Sequence, residues 1–234
     1  MLSAGCNVDI NTASVLNCIQ TEALNDEIIK LVSSDATHVD VCDYITAKDH
    51  DLYGIDAIFI EAGLPENIND SLELVKKVRL VNKTACIFIL VTHTRSFSNI
   101  NYYLAGADYC LKLPSDADEQ SKILLHTLHD SHWKNTTKLF LDRTRLLLSS
   151  STSKLEISYS EMIIIDALLR APCHAMSQDD IAKTLDPNII FYDPRALEKT
   201  ISRLRTKIKK AHHLELIFSI RAFGYRLRRG TVSG

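Results

Sequence analysis

The N-terminal part of the chain alternates between short apolar runs and segments with helical periodicity. The apolar runs predict five strands, at residues 15–19, 38–42, 57–60, 85–91 and 109–111. The remaining segments predict helices at residues 23–33, 44–48, 71–80, 98–105 and 118–130. Because the central runs are apolar almost throughout, helices should cover both faces of the sheet, which is typical of parallel sheets. With right-handed crossovers, the pattern predicts an α/β fold of the flavodoxin-like, doubly wound (βα)5 type.

A different pattern begins after residue 137. Residues 139–141 and 145–148 are predicted to form hairpin strands, with a serine-rich turn at 149–153 and a further strand at 155–157. Three helices are predicted to follow, at residues 158–170, at 177–185 and from 193 to about 210. The change of pattern predicts two domains, 1–130 with a short N-terminal extension and 138–234, joined by a linker at 131–137.

The predicted C-terminal helices begin at residues that favour helix starts. Ser158 stands three residues before Glu161, the spacing of a capping box. Ser177 precedes two acidic residues, which suit the first turn of a helix. Asp193 followed by Pro194 is a strong start signal, because proline suits the first helical position.

The third of these helices is amphipathic and basic. Its apolar face is formed by Leu197, Ile201, Leu204 and Ile208, which recur at helical spacing. Every charge on the exposed face except Glu198 is positive, and a short basic hairpin follows at residues 220–226. The major groove of DNA admits an α-helix, and arginine suits bidentate contact with guanine. The pattern therefore favours a reader of duplex DNA over an ordinary solvated helix.

Charge is divided unevenly between the two halves. Residues 138–234 carry 17 basic and 10 acidic residues, a net charge of +7, whereas residues 1–137 carry 10 and 19, a net charge of −9. A basic half is expected of a phosphate-binding domain, and an acidic half is expected to face proteins.

None of the six cysteines forms a C-x-x-C pair, which predicts reduced, buried thiols rather than a metal site. We expect no membrane span and no signal peptide.

Residues 155–227 resemble the winged-helix effector domain of OmpR/PhoB-family response regulators. The family's helix pattern, Arg-x-Val-x-x-x-Ile-x-Arg-Leu-Arg-x-Lys-Leu, is matched between Arg195 and Ile208. Its wing pattern, Ile-x-Thr-Val-Arg-Gly-x-Gly-Tyr, is matched up to Tyr225, with Ser219 in place of threonine and Ala222 in place of the first glycine. If that glycine needs a positive φ, Ala222 strains or reshapes the turn.

The resemblance implies base contact by Arg203 and entry of Arg221 into an adjacent minor groove. The full set of DNA-binding residues that it implies is Arg195, Thr200, Ser202, Arg203, Arg205, Lys207, Ser219, Arg221 and Tyr225. These side chains would divide between base edges, which specify sequence, and phosphates, which fix register.

The N-terminal part resembles the receiver domain that precedes such effectors. The segment from Asp56 to Pro65 is similar to the family's third strand, and Gly106-Ala107-Asp108 to its motif after the fourth helix. In the family an aspartate after the third strand is phosphorylated with the help of Mg²⁺ held by an acidic pair. A hydroxyl residue and a lysine bind the phosphoryl oxygens.

The implied phosphorylation pocket departs from the family pattern. Its residues are Gln20, Thr21, Glu61, Thr92 and Lys112. Glu61 stands at the acceptor position and Gln20-Thr21 at the acidic pair, while the lysine position is Leu113 unless the alignment slips by one residue. Without two carboxylates Mg²⁺ is poorly held, so we expect a degenerate receiver with no cofactor, no metal and no catalytic residue. Glu61 is either a phosphate mimic that favours the active-like state or the remnant of a lost pocket.

The family also dimerises through the fourth helix, fifth strand and fifth helix of the receiver. The corresponding candidates here are Asn99, Tyr103, Leu104, Asp108, Glu119 and Ile123. Asp108 and Glu119 fit acidic positions, but Asn99 and Ile123 replace basic ones. Ile123, Leu104 and Tyr103 would form an apolar interface that depends less on a trigger, or Ile123 belongs to the core.

The sequence thus predicts a non-enzymatic, phosphorylation-independent transcription regulator in the cytoplasm (the bacterial cytosol and nucleoid). It would bind promoter DNA as a homodimer on half-sites about 10–10.5 bp apart, with RNA polymerase as a further expected partner and no membrane contact. The alternative is a protein-binding adaptor that sequesters a partner and whose DNA-binding domain is vestigial. A sensor that binds a ligand in the emptied pocket is a third hypothesis.

Overall fold

The computed structural model describes residues 13–33, 36–43, 46–48, 51–63, 67–92, 98–134 and 137–234. Several predicted features lie outside the described residues: the N-terminal extension with Cys6, Tyr44 of the short helix, Leu64 and Pro65 of the third-strand motif, and residues 135–136 of the linker.

The described residues between 13 and 130 form a parallel sheet with helices on both faces. Its strands are β1 (Ala13–Cys18), β2 (Ala36–Val41), β3 (Ala57–Glu61), β4 (Cys86–Val91) and β5 (Tyr109–Lys112). The strand order is β2-β1-β3-β4-β5, and all four pairings are parallel. This is the doubly wound, flavodoxin-like order, so the predicted fold is confirmed. We call this part the receiver-like unit.

Each face of the sheet has its own apolar core. The helices are α1 (Glu22–Val32), α2 (Ile68–Val81), α3 (Asn99–Ala105) and α4 (Ala117–Asp130), with short 3-10 helices at Thr46–Lys48 and Leu52–Gly54. Ile58 faces the α2 and α3 side of the sheet, whereas its neighbour Phe59 faces the α1 and α4 side. This alternation follows from the two-residue period of a strand. On the second face the rings of Phe59 and Phe88 stack with centroids 4.7 Å apart.

The C-terminal part contains an antiparallel sheet of three strands and a mixed sheet of four strands around three helices. Its strands are β6 (Leu139–Asp142), β7 (Leu147–Ser149), β8 (Lys154–Glu156), β9 (Ala175–Ser177), β10 (Ile217–Ile220), β11 (Gly224–Leu227) and β12 (Val232–Ser233). Its helices are α5 (Tyr159–Arg170), α6 (Gln178–Leu185) and α7 (Pro194–His212). The sheets have the orders β12-β6-β7-β8 and β10-β11-β9. This is the predicted winged helix, and we call it the winged-helix unit.

Capping residues in the sequence predict where these three helices begin. Ser158 and Glu161 form the predicted capping box, Ser177 accepts from the backbone N–H of Asp180, and Asp193 from that of Arg195. β9 and β12 were not predicted, because Ala175-Met176-Ser177 and Val232-Ser233 contain no alternating apolar run. Helix α7 extends to His212, two residues beyond the predicted end, and His213 ends it in the left-handed conformation with φ 55°.

The two units contact each other through buried arginines. Asp108, after α3, accepts from Arg79 Nη2 of α2 at 2.6 Å and from Arg229 Nε, beyond β11, at 3.0 Å. The Arg226 guanidinium of β11 lies 4.9 Å from the ring centroid of Tyr103 in α3. A buried ion pair that joins two units couples their positions, because either partner alone would be a desolvated charge.

Candidate DNA-binding surface and the Glu61 pocket

The exposed face of α7 carries cations that have no ion pair within the described residues. Arg195, Lys199 and Arg203 are exposed, and Ser202 lies beside them. The apolar face of the same helix is buried, since Ile201, Leu204 and Ile208 are fully enclosed in the core of the winged-helix unit. The helix is thereby fixed with its cationic face outward, as a groove-reading helix requires.

Two other predicted DNA contacts of α7 are engaged inside the chain. Arg205 donates from Nε to the carbonyl of Ile217 at 2.8 Å and from Nη2 to Ser219 Oγ at 2.9 Å. Lys207 Nζ donates to Glu161 Oε2 at 2.8 Å. Arg205 therefore fixes α7 to strand β10 of the wing, and Lys207 fixes it to the start of α5. Thr200 is half-buried and donates to the carbonyl of Ala196 at 2.9 Å within its own helix.

The wing is the hairpin β10–β11, and its tip exposes Arg221. Ala222 at the tip has φ 59°, so the position does adopt the left-handed conformation that favours glycine. Gly224 is required for another reason: a Cβ there would stand 2.2 Å from the carbonyl oxygen of Met176 in β9. Tyr225 is buried, with 5% of its surface exposed, and its ring lies under the Arg205 guanidinium at 5.4 Å. Tyr225 thus supports the wing from within.

Four of the five predicted pocket residues converge in the receiver-like unit. Glu61 Oε2 accepts from the backbone N–H groups of Gln20 and Thr21, both at 2.9 Å. Glu61 Oε1 accepts from Thr21 Oγ1 at 2.7 Å and from Thr92 Oγ1 at 3.0 Å. Burial acts to raise the pKa of Glu61, but the hydrogen bonds from Thr21, Gln20 and Thr92 outweigh it and lower the pKa. The carboxylate is held charged in this pocket.

Lys112 is not brought to Glu61. Leu111 and Leu113 both pack on the α1 and α4 face of the sheet, whereas Cys110 packs on the opposite face. Strand alternation therefore places exposed Lys112 on the face of Cys110, where it lines a cavity with Asn99 and Arg221. Leu113, not Lys112, occupies the position on the Glu61 side.

The predicted dimer face is partly occupied within the chain. Tyr103 lies against Arg226, and Asp108 is 2% exposed and bound to Arg79 and Arg229. The other candidates remain accessible to different degrees: Asn99, Leu104 and Glu119 are exposed and Ile123 is half-buried. Arg226, Arg228 and Arg229 are themselves at most 7% exposed, so part of the basic excess of the C-terminal half faces the receiver-like unit.

Sequence reasoning missed this arginine cluster. One signal was available for Arg79, which stands four residues after Val75 and falls on the buried face of α2. The signal for Arg229 is weaker, because its partner Asp108 lies 121 residues away in the chain.

Near these arginines, potential ligand atoms of Cys86, Asp108 and His132 lie within 4.8 Å of one another. Since Asp108 already binds two guanidinium groups and burial raises the pKa of Cys86, the cluster is unsuited to a cation.

Comparisons with known proteins agree with the C-terminal architecture. A family model described as "Transcriptional regulatory protein, C terminal" matches residues 152–227. No curated protein matches the chain. The helices of the described residues include none with the length and apolar character of a membrane span.

Solved structures of response regulators are similar to parts or most of the chain. Response regulator DrrB of Thermotoga maritima, an OmpR/PhoB homologue, is 15% identical over 92% of this chain and 99% of its own, with a TM-score of 0.43. HP1043, an orphan response regulator of H. pylori, is 15% identical over 53% of this chain and 98% of its own, with a TM-score of 0.42. The C-terminal domain of the nisin resistance regulator NsrR is 29% identical over 41% of this chain and 93% of its own, with a TM-score of 0.34.

Proposed function

We propose that this chain, a DNA-binding transcription regulator whose residues 152–227 match the transcriptional regulatory C-terminal family model, reads specific promoter sequences without receiver phosphorylation. It acts in the bacterial cytosol as a homodimer on repeated half-sites, where RNA polymerase is a further partner. The division into a receiver at 1–130, a linker at 131–137 and a DNA-binding domain at 138–234 belongs to the same proposal.

The observation that carries the proposal is the unpaired cationic face of α7 beside an exposed wing arginine. Arg203 lies at the middle of that face and is assigned to base edges, where arginine binds guanine bidentately. Arg195, Lys199 and Ser202 flank it and are assigned to phosphates and neighbouring bases. Arg221 at the wing tip is assigned to the adjacent minor groove. Arg205 and Lys207 hold helix and wing in register for these contacts.

Phosphorylation independence is supported by the state of the Glu61 pocket. The groups that would bind a phosphoryl group in a receiver, the Gln20–Thr21 backbone and the Thr92 hydroxyl, already bind the Glu61 carboxylate. Position 113 supplies leucine where the family uses lysine, and no acidic pair stands at residues 20–21 to hold Mg²⁺. Glu61 therefore acts as a built-in substitute for a phosphorylated side chain, which favours a single, constitutive state of the unit.

Dimerisation through α3, β5 and α4 requires a rearrangement. Tyr103 and Asp108 must leave Arg226 and Arg229 before they can face a second chain. The proposal therefore includes separation of the two units upon binding to paired half-sites.

The DNA assignment is tested by replacing Arg203 with alanine. We expect a loss of about 1–3 kcal/mol in affinity for the selected promoter site, with relaxed preference at one base position. The matched control is Arg145→Ala, an exposed arginine in the turn between β6 and β7, which should bind like wild type. Binding is measured over a salt series, on a duplex with two half-sites about 10–10.5 bp apart, where two chains per duplex are expected. Unchanged affinity and preference in Arg203→Ala would refute the assignment.

Phosphorylation independence has its own test. Incubation with acetyl phosphate and Mg²⁺ should leave both the intact mass and the promoter affinity unchanged. A stoichiometric gain of one phosphoryl group would refute this part of the proposal and leave the DNA assignment intact.

A further inference from the structure

Two cysteines face each other at the ends of β1 and β2. The Sγ atoms of Cys18 and Cys42 lie 3.4 Å apart, close enough for one thiol to donate to the other. The last registered pair of these strands is Asn17 with Val41, and the N–H of Cys42 donates to the carbonyl of Asn17 at 2.9 Å. Cys18 and Cys42 are thus the next directly opposed pair, on the same face of the sheet.

This placement permits a covalent bridge. Directly opposed residues on neighbouring strands are about 4.8 Å apart. Disulfides accept Cα separations of roughly 4.4–6.8 Å. No large movement of either strand is therefore needed, and the remaining sulfur–sulfur gap of somewhat more than 1 Å can be closed at the strand ends.

We propose that Cys18 and Cys42 form a reversible disulfide, and that this bond loosens the loop that holds Glu61. The site is a modification site for a small peroxide, and it is independent of whether the chain binds DNA. Cys42 is the half-buried partner and is accessible to such an oxidant, whereas Cys18 is 1% exposed.

The chemistry proceeds in two balanced steps. The Cys42 thiolate attacks one oxygen of hydrogen peroxide, which breaks the O–O bond, gives a sulfenic acid and releases hydroxide. The Cys18 sulfur then attacks the Cys42 sulfur, and the sulfenic oxygen leaves as water with the thiol proton. The two thiols lose two electrons to the peroxide. The hydrogen bond from Cys18 lowers the pKa of Cys42 and raises that of Cys18, so Cys42 is the first nucleophile.

Cys18 lies next to the backbone segment that binds Glu61. Gln20, two residues after Cys18, and Thr21 donate their backbone N–H groups to Glu61 Oε2 at 2.9 Å. A shift of the segment after Cys18 towards β2 would lengthen these bonds, because β3, which carries Glu61, lies on the opposite side of β1. Oxidation should therefore release at least part of the pocket around Glu61.

The test compares reduced and peroxide-treated full-length protein. Peptide mapping without reductant should show a Cys18–Cys42 cross-link that dithiothreitol removes. Hydrogen exchange at the Gln20 and Thr21 amides should become faster by at least about tenfold, which corresponds to the loss of roughly one net hydrogen bond. Both changes should be absent in Cys42→Ser and retained in Cys173→Ser, a half-buried cysteine of the winged-helix unit.

Each result decides the matter. A cross-link with faster exchange supports the proposal. Peroxide treatment that leaves Cys42 unoxidised, or that takes it only to the sulfinic or sulfonic acid, overturns it. A cross-link without any change in the two amides overturns the coupling to Glu61. If Cys42→Ser does not fold, the comparison of reduced and oxidised wild type still distinguishes these outcomes.

Discussion

Glu61 is a buried carboxylate at the carboxyl edge of the parallel sheet. Its carboxylate collects hydrogen bonds from the segments that follow β1 and β4, so it joins three neighbouring strands at their carboxyl ends. Hydrogen bonds to a charged acceptor contribute more than those to a neutral one. The pocket is therefore both the candidate substitute for phosphorylation and a local source of stability.

Replacing Glu61 with glutamine tests that contribution. We expect Glu61→Gln to lower the free energy of unfolding by about 1–3 kcal/mol near neutral pH, because one charged acceptor of several donors is lost. The pKa of Glu61 is lowered by folding, so its contribution is present above the unfolded value of about 4.3 and is lost as pH falls through the folded value. Urea denaturation at several pH values should show that the free energies of unfolding of wild type and Glu61→Gln converge as the pH falls.

Glu22→Gln is the control for this measurement. Glu22 is exposed in the first turn of α1, next to the pocket residues Gln20 and Thr21. Its replacement should cost less than Glu61→Gln at every pH. An equal cost for both variants, or a difference that persists in strong acid, would contradict the role of the Glu61 charge.

The pocket also shows what could be predicted at the residue scale. The resemblance to receiver domains predicts that Gln20, Thr21, Glu61 and Thr92 share a pocket, and they meet because the carboxyl ends of parallel strands share one edge of the sheet. The sequence left open whether Lys112 or Leu113 holds the lysine position. Only the register of β5 against β4, in which Lys112 pairs with Val91, decides between the two faces.

At the scale of elements, the wing hairpin holds a local conflict between sequence and backbone. Ala222 has φ 59°, a left-handed conformation that costs a residue with a Cβ roughly 1–2 kcal/mol. Glycine removes this cost but adds freedom to the unfolded chain, worth about 0.4–1 kcal/mol. We therefore expect Ala222→Gly to raise the free energy of unfolding by up to about 1 kcal/mol, measured by urea denaturation.

Ala211→Gly is the matched control for Ala222→Gly. Ala211 lies in the last turn of α7, where glycine should lower stability by up to about 1 kcal/mol. Opposite signs for the two variants are the expected result. Destabilisation by both would mean that the turn tolerates alanine without strain.

In the winged-helix unit, local sequence patterns are enough to predict the helices but not the contacts of the wing hairpin. Capping residues and an apolar face placed α5 and α7 to within two residues, because these signals are local. The requirement for Gly224 comes instead from close approach of β9, a strand of three residues that no periodicity reveals. Tertiary contact, not propensity, explains that glycine.

At the scale of the whole molecule, a buried ion pair between Asp108 and Arg229 joins the units, in addition to the packing of Arg226 on Tyr103. Asp108 is buried, and its pKa is lowered because Arg79, His132 and Arg229 outweigh the effect of burial. This contact joins α2, the loop after α3 and the end of the wing, which are far apart in the chain. The sequence assigned the arginines after β11 to a generally basic, DNA-facing half. Their burial could not be predicted without the relative positions of the units.

The two sides of this contact should respond differently to substitution. Arg229→Ala removes one donor, but Asp108 keeps Arg79 Nη2 at 2.6 Å and the N–H of Ile87 at 2.9 Å, so we expect a loss of about 1–3 kcal/mol. Asp108→Asn leaves two buried guanidinium groups without a counter-charge, and should cost about 3–5 kcal/mol. Urea denaturation followed by Trp133 fluorescence reports the effect, because this single tryptophan packs on Phe59 near the junction.

Arg221→Ala, at the exposed wing tip, serves as the control and should unfold like wild type.

Arg229→Ala should also broaden or split the unfolding transition, since the winged-helix unit then loses its ionic bond to the receiver-like unit. If Arg229→Ala costs as much as Asp108→Asn, then Arg79 does not suffice to neutralise the carboxylate. If neither variant changes the transition, Asp108 does not couple the two units, and a rearrangement for dimerisation would meet no resistance from this contact.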